Sequence, residues 1–286
     1  MVWLNPIVQG VLLGGLYALF AAGLSVMFGV MRFVNIAHGD FIIVAAYFFA
    51  VLITGLAVSP VLAIVLVLAA LTMAGYLNQR IVLNRVLGAD ILPPILVTFG
   101  MSIIIQNMLL ETFSADSRRV AAGWLDTGSL VLPGGIAVGL LPLLMFVVAV
   151  AVIGGLQLLF YRTAIGRLLR ATSDDPSIVP LMGGNNAIIF AIATAVASFV
   201  IAVAGMLLAM KTQFDPTAGP SRLLFAFEAV IIGGLGSLWG TLIGGIILGV
   251  AQTVGAQIDA GYQILAGHLV FLAVLVVRPR GLLPRM

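Results

Sequence analysis

The chain has 286 residues, of which 62% are hydrophobic and 8% charged, and its mean hydropathy is +1.25. A soluble globular domain, with its usual quarter of charged residues, is excluded. The net charge of +3 comes from arginines set between apolar runs, so it speaks to orientation in a bilayer and not to nucleic-acid binding, and the absence of cysteine rules out disulfides and thiolate chemistry.

A bilayer crossing needs about 20 apolar residues at 1.5 Å each. The first such segment, near residues 7–31, has no basic leader and no small-residue cleavage site, and reads as a retained span. Residues 33–53 are irregular, because they open on the polar run Asn35-Ile-Ala-His-Gly-Asp40. Spans follow near 60–79 and 93–111, then the loop Thr112 to Leu132, whose Asp116, Arg118, Arg119, Trp124 and Asp126 mark it as the one sizeable external segment. That loop is either a surface for a soluble extracytoplasmic partner or a solvated connector. Further spans fall near 138–161, 187–210 and 262–277. Residues 223–258 are too long for a single crossing and carry Gly233-Gly-Leu-Gly-Ser-Leu-Trp-Gly240 in their middle, which predicts two crossings that turn there. Gly240-Thr-Leu-Ile-Gly244 and Gly245-Ile-Ile-Leu-Gly249 predict close packing between helices. The fold class is therefore all-α, a polytopic membrane protein of eight to nine spans including broken helices, in a single domain over residues 1–286.

Cytoplasmic loops retain Lys and Arg. Placing Arg80, Arg85, Arg162, Arg167, Arg170, Arg278, Arg280 and Arg285 on one side gives that side 8 of the 13 cationic residues, against Arg118, Arg119, Lys211 and Arg222 opposite. The segment at 162–185 and the C-terminus are thus expected in the cytoplasm. Parity then gives nine crossings and an external N-terminus, or eight crossings if Asn35 to Asp40 lies at membrane depth.

The most polar stretch is the elbow from Arg162 to Asp175, with 5 of the 23 charged side chains in 14 residues, while Thr127 to Tyr161 and Pro176 to Met210 hold none. A charge at the bilayer centre costs roughly 2.5 to 3.5 kcal/mol, so the elbow faces water. Ile165, Leu168, Leu169 and Thr172 fall on one helical face, and Arg167, Arg170 and Asp174 on another. Asp175 is expected to N-cap a second short helix with Pro176 at its first position, ending at Gly183-Gly-Asn185. The elbow is a docking surface for a soluble partner or, alternatively, a solvated loop.

Asn35, His38 and Asp40 form the densest polar cluster near a span, a candidate for lining a solute path or for a structural hinge; two ligands at i and i+2 without a third make a poor metal site. Glu228 is a gate or a carboxylate satisfied by neighbouring helix ends. His268, alone in the last span, fits an interhelical hydrogen bond better than a proton relay, and Trp3 and Trp124 fit interfacial anchors. Enzyme readings lack parts: there is no H-E-x-x-H, Leu235 breaks the register of a G-x-S-x-G elbow, and the single lysine, Lys211, follows Met210, so no phosphate-binding G-x-x-x-x-G-K loop exists.

Four motifs taken together, Gly14-Gly-Leu-Tyr-Ala-Leu19, Val34-Asn-Ile-Ala-His-Gly-Asp40, the elbow Gly166-Arg-Leu-Leu-Arg-Ala171 with Asp174 and Leu181-Met-Gly183, and Ile232-Gly-Gly-Leu-Gly-Ser237 with Gly244-Gly245 and Leu248-Gly249, resemble the permease subunit of ABC importers of the branched-chain (hydrophobic) amino-acid family, H-like type. The resemblance spans essentially the whole chain. It departs from the family at Pro180 and at Gly184 before Asn185. It implies that the elbow is a coupling helix seated in a cytoplasmic ATPase, with Gly166, Arg167, Arg170, Ala171, Asp174, Asp175 and Gly183 at the docking face. It implies a path or hinge that draws on Tyr17, Asn35, His38, Gly39, Asp40, Glu228, Gly233, Gly234 and Gly236. It implies as partners a second homologous permease, two ABC ATPase subunits that hold ATP and Mg, and a periplasmic solute-binding protein, in a bacterial inner membrane; no cofactor is expected on this chain. The solute class implied is branched-chain or hydrophobic amino acids, amides or aromatic acids. The alternative is a secondary transporter or channel without ATPase partners, for which Asp40, Glu228, Asp259 and Glu111 are the carboxylates that could couple an ion.

Overall fold

The computed structural model describes residues 3–88, 90, 92–132, 136–181 and 183–283. Met182 of the elbow motif and Arg285 of the arginine count lie outside the described residues. In chain order the elements are α1 (Leu4–Met31), α2 (His38–Ala50, prolonged by a π-helical turn over Val51–Gly55), α3 (Pro60–Ile81), α4 (Leu92–Phe113), α5 (Trp124–Thr127), β1 (Ser129–Leu132), β2 (Ile136–Gly139), α6 (Leu140–Arg162), α7 (Ala164–Asp174), α8 (Ile178–Leu181), α9 (Asn186–Lys211), α10 (Gly219–Gly233), α11 (Leu238–Ile258) and α12 (Tyr262–Val277).

Seven of the described helices are long and apolar enough to cross a membrane: α1, α2 with its turn, α3, α4, α6, α9 and α11. The expected span at 262–277 is present as α12, but its 16 residues reach only about 24 Å, short of a full hydrocarbon core. The long segment 223–258 divides as expected, at Gly234 (φ +108) and Gly236 (φ +80), a conformation only glycine adopts without strain.

The helices share two common ends. At one, Gln9 Nε2 of α1 donates to Ala137 O of β2 at 2.7 Å, and the loop before α5 pairs Arg118 with Phe214 just past α9. At the other, Arg32 after α1 reaches the elbow, Asn84 after α3 donates to Ala187 O at the start of α9 (3.0 Å), and Leu282 and Leu283 return to Ile232 and Gly233. Among the described residues the chain runs nine times between these ends, twice in broken form.

α1 is the axis. Its residues from Gly14 to Met27 are buried, with α6, α9, α10 and α11 around it. The glycine pairs sort by face: Gly245 and Gly249 meet Gly14 and Gly10 of α1, while Gly240 and Gly244 meet Gly233 and Ala229 of α10, and at each contact a Cβ would strike backbone. Small residues thus bring three backbones together where hydrocarbon offers no hydrophobic drive to do so.

The two breaks are alike. After α1 the chain turns back as an extended stretch and starts α2 beside Phe20, about 16 Å from the end of α1; after α9 it turns back again and starts α10. Asn35 Oδ1 accepts from Ala37 N (3.0 Å) and Asp215 Oδ1 from Thr217 N (2.9 Å); His38 N donates to Asn35 O and Ala218 N to Asp215 O, both at 3.2 Å. The two turns are the same turn, and their following glycines, Gly39 and Gly219, touch. From there α2 runs to the hairpin end, where Tyr47 stacks on Phe113 at 4.5 Å, and α10 runs to the elbow end.

Two features escaped the sequence reading. The loop at 112–132 is not a featureless connector, because it carries the short helix α5 and feeds an antiparallel pair with Ser129 opposite Gly139 and Leu132 opposite Ile136. Arg119 and Asp126 close it with an ion pair at 2.5 Å.

Candidate functional site

The elbow is built from its glycine outward. Thr163 caps α7, its hydroxyl accepting from Gly166 N at 3.0 Å and donating to Leu159 O at 2.7 Å. Gly166 then lies directly on the last carbonyls of α6, where a Cβ would overlap Leu159 and Phe160. That contact rotates the helix. The buried face becomes Gly166, Leu169, Thr172 and Ser173, so the face expected from spacing is split: Leu169 and Thr172 point inward, while Ile165 and Leu168 stay 46% and 43% exposed. At its far end α7 is latched to α1, with Ser173 Oγ donating to Gly29 O and Arg32 Nη2 to Ser173 O at 2.9 Å.

Arg167 and Asp174 are exposed, Ala171 and Asp175 half-buried, and the Arg170 guanidinium lies 4.6 Å over the Tyr161 ring. The second elbow helix is a single turn, α8, so the expected start at Pro176 gives way to Ile178. Asp175 ends α7 and caps a turn: its carboxylate accepts from the Ser177 amide (2.8 Å) and hydroxyl (2.7 Å), and those two bonds hold its carboxyl below the usual carboxylate range. Gly183 takes φ +78, and Asn185 caps α9 through Ala187 N at 2.9 Å. Leu181 projects from this half of the elbow, 86% exposed.

At mid-depth, Asn35, His38 and Asp40 are all buried. His38 Nε2 donates to Phe20 O of α1 (2.8 Å), and Asp40 accepts from Gln106 of α4 (3.0 Å), whose side chain also donates to Ser102 (3.0 Å). Thr98 of α4 accepts from Ile36 N at 3.2 Å. Thr98, Ser102 and Gln106 therefore form a polar stripe at helical spacing that ties α4 to the broken start of α2, a partnership hidden by 62 or more residues of separation.

Nearer the α10–α12 interface, His268 of the last span makes an interhelical hydrogen bond, as its place in the sequence predicts. Its Nδ1 pairs with Glu228 Oε1, a half-buried contact that ties α12 to α10, and Tyr17 Oη donates to Gln252 Oε1 at 2.5 Å, a buried contact that ties α1 to α11. Glu228 Oε1 meets a side chain and not a helix end, while its Oε2 is buried with no hydrogen-bond partner in the protein. Gly233 packs on Gly240 and Gly234 opens the turn, both in backbone roles. Sequence signals for these pairs were weak: each partner is an isolated polar residue in an apolar span.

The family model for the permease component of branched-chain amino acid transport systems matches residues 7–278. This chain belongs to that family. The permease is 32% identical over 298 residues to the high-affinity branched-chain amino acid transport system permease protein BraD of Pseudomonas aeruginosa, covering 99% of this chain and 96% of BraD. It is 28% identical to LivH of Escherichia coli K12, with the same coverage, and 24% identical to the probable LivH of Methanocaldococcus jannaschii, over 96% of this chain and 91% of that protein. No solved structure shows a significant match to it. The permease is thus an all-α, multi-span transport protein, as its motifs implied.

Proposed function

We propose that this permease is one transmembrane subunit of an ATP-driven importer for branched-chain or related hydrophobic amino acids, amides or aromatic acids, working with a second homologous permease, two ATPase subunits and a periplasmic binding protein in a bacterial inner membrane. The observation that carries the reading is the elbow's double attachment. α7 rests on the end of α6 through Gly166 and is hydrogen-bonded to the end of α1 through Ser173, while Ile165, Leu168 and Leu181 face outward as an apolar strip bordered by Arg167 and Asp174. Exposed apolar side chains on an otherwise polar elbow suit a cleft in a soluble partner. Force applied to that strip is delivered to α1, the axis of the bundle, and through His38 to the start of α2. ATP and Mg belong on the partner subunits, since the only lysine, Lys211, closes α9 at the hairpin end.

Asn35, His38 and Asp40 are assigned here to the hinge that holds the broken helix against α1 and α4, with Gly39 and Gly219 as its pivot. Motion of α1 relative to α10 would open or close the space beside them. The test is reconstitution. Uptake of labelled leucine into proteoliposomes should require ATP, the ATPases, the second permease and the binding protein together; uptake by this chain alone would refute the assignment.

A further inference from the structure

Above the elbow, between the ends of α1, α6 and α11, lies a cavity of about 670 Å³. Three kinds of group face into it. The first is Ser25, six residues before the end of α1 and so about 9 Å deep, which is only 2% exposed and whose hydroxyl meets no hydrogen-bond partner in the protein. The second is the pair Arg167 and Arg170, the latter with its Nε buried and unpartnered; they outnumber Asp174, the acidic residue of the same wall. The third is the N-terminus of α11, where Ser237 Oγ takes the Gly240 amide at 3.1 Å and leaves the amides of Leu238 and Trp239 without partners inside the helix. Helix amides, two guanidinium groups and a hydroxyl converging on one space make an anion site with the chemistry of a phosphate receptor.

The depth of the cavity selects the source of that phosphate. It opens where α6 ends and α11 begins, which is headgroup level, and Tyr161 and Trp239 at its walls are both exposed, as amphipathic rings are at a membrane interface. We propose that this cavity binds the phosphodiester headgroup of an anionic lipid, which bridges elbow helix α7 to α1 and α11. Basic pockets between helix ends on the charged side of a membrane are suited to such headgroups. Occupancy would tie the elbow to the bundle through the lipid as well as through Ser173, so membrane composition would set how firmly motion is passed inward.

The experiment uses the full chain in nanodiscs of phosphatidylcholine with or without phosphatidylglycerol, read by native mass spectrometry and by melting temperature, neither of which depends on transport. Wild type should retain phosphatidylglycerol in preference to phosphatidylcholine and melt higher in its presence. Gln157 of α6 also lines the cavity, so Gln157→Leu, which removes a polar side chain from its wall, and Ser25→Ile, which fills its floor, should lose the preference severalfold, and Arg80→Gln, outside the cavity, should keep it. Equal retention by wild type and both cavity variants overturns the proposal. So does glycerol 3-phosphate raising the melting temperature in pure phosphatidylcholine as much as the lipid does, because the site would then take a soluble phosphate ester.

Discussion

Replacing Gly166 by valine separates a lever from a loop. A Cβ at this position would lie 2.6 Å from the carbonyl carbon of Phe160 and closer still to the oxygens of Leu159 and Phe160. A relaxed contact needs about 3.5 Å, so α7 must retreat by about 1 Å, and a gap of that size forfeits a quarter to a half of the dispersion energy of side chains such as Leu169. Overpacking of this kind costs about 1 to 3 kcal/mol. That is too little to undo a bundle whose main seams lie elsewhere, so the variant should insert and assemble with the second permease. The strip formed by Ile165 and Leu168 is displaced with the helix, and a loss of about 1.4 kcal/mol at the docking face weakens binding about tenfold. Titrating purified ATPase onto the immobilised permease pair, beside leucine uptake in proteoliposomes, measures both consequences. Unchanged ATPase affinity together with unchanged uptake in Gly166→Val would refute the coupling role of the elbow.

Ile165→Ser with Leu168→Ser removes exposed apolar surface without touching the body, so ATPase affinity should fall while the melting temperature of the isolated chain stays constant; a matching fall in stability would place these side chains in the core. His268→Leu leaves the Glu228 carboxylate buried without its partner and should destabilise by about 3 kcal/mol, whereas Glu228→Gln combined with His268→Leu should recover most of that loss in a denaturation series; equal losses would show that the pair carries no coupling. Asn35→Ala and His38→Ala should lower melting temperature and ATPase stimulation together, as a hinge requires, since a buried group left unpaired costs about 1 to 3 kcal/mol; loss of transport with both quantities preserved would assign these residues to the solute path instead. Because the chain has no cysteine, Asp116→Cys and Arg280→Cys give a clean topology test: an impermeant maleimide should label the first in intact cells and the second only after permeabilisation, and the reverse would invert the orientation.

The spans were legible because hydrocarbon enforces long apolar runs, and the elbow because five charges cannot sit in one. The break at Gly233 to Ser237 was legible too, since glycine marks a turn by its own chemistry. What spacing could not show was the rotation of α7, set by Gly166 pressing on α6: periodicity sees side chains, and the decisive contact was made by a residue without one. The pairs Glu228–His268, Tyr17–Gln252 and Gln79–Thr194 stayed hidden for a different reason, each joining residues of two separate spans whose meeting depends on how those spans are arranged. The strand pair after α5 was missed because four-residue strands flanking a turn carry little pattern.

The matched turns at Asn35 and Asp215, followed by touching glycines, mean that α1 with α2, and α9 with α10, are two readings of one plan, laid antiparallel between the two common ends. Such inverted pairs need not be in the same local geometry at the same moment. If each pair has two postures of similar energy, exchanging them between the pairs turns an arrangement open on one side into its counterpart open on the other, with nearly the same contacts made and broken. The two end states of the cycle are then close to equal in free energy by construction, and the direction of transport is left to whatever binds at each face.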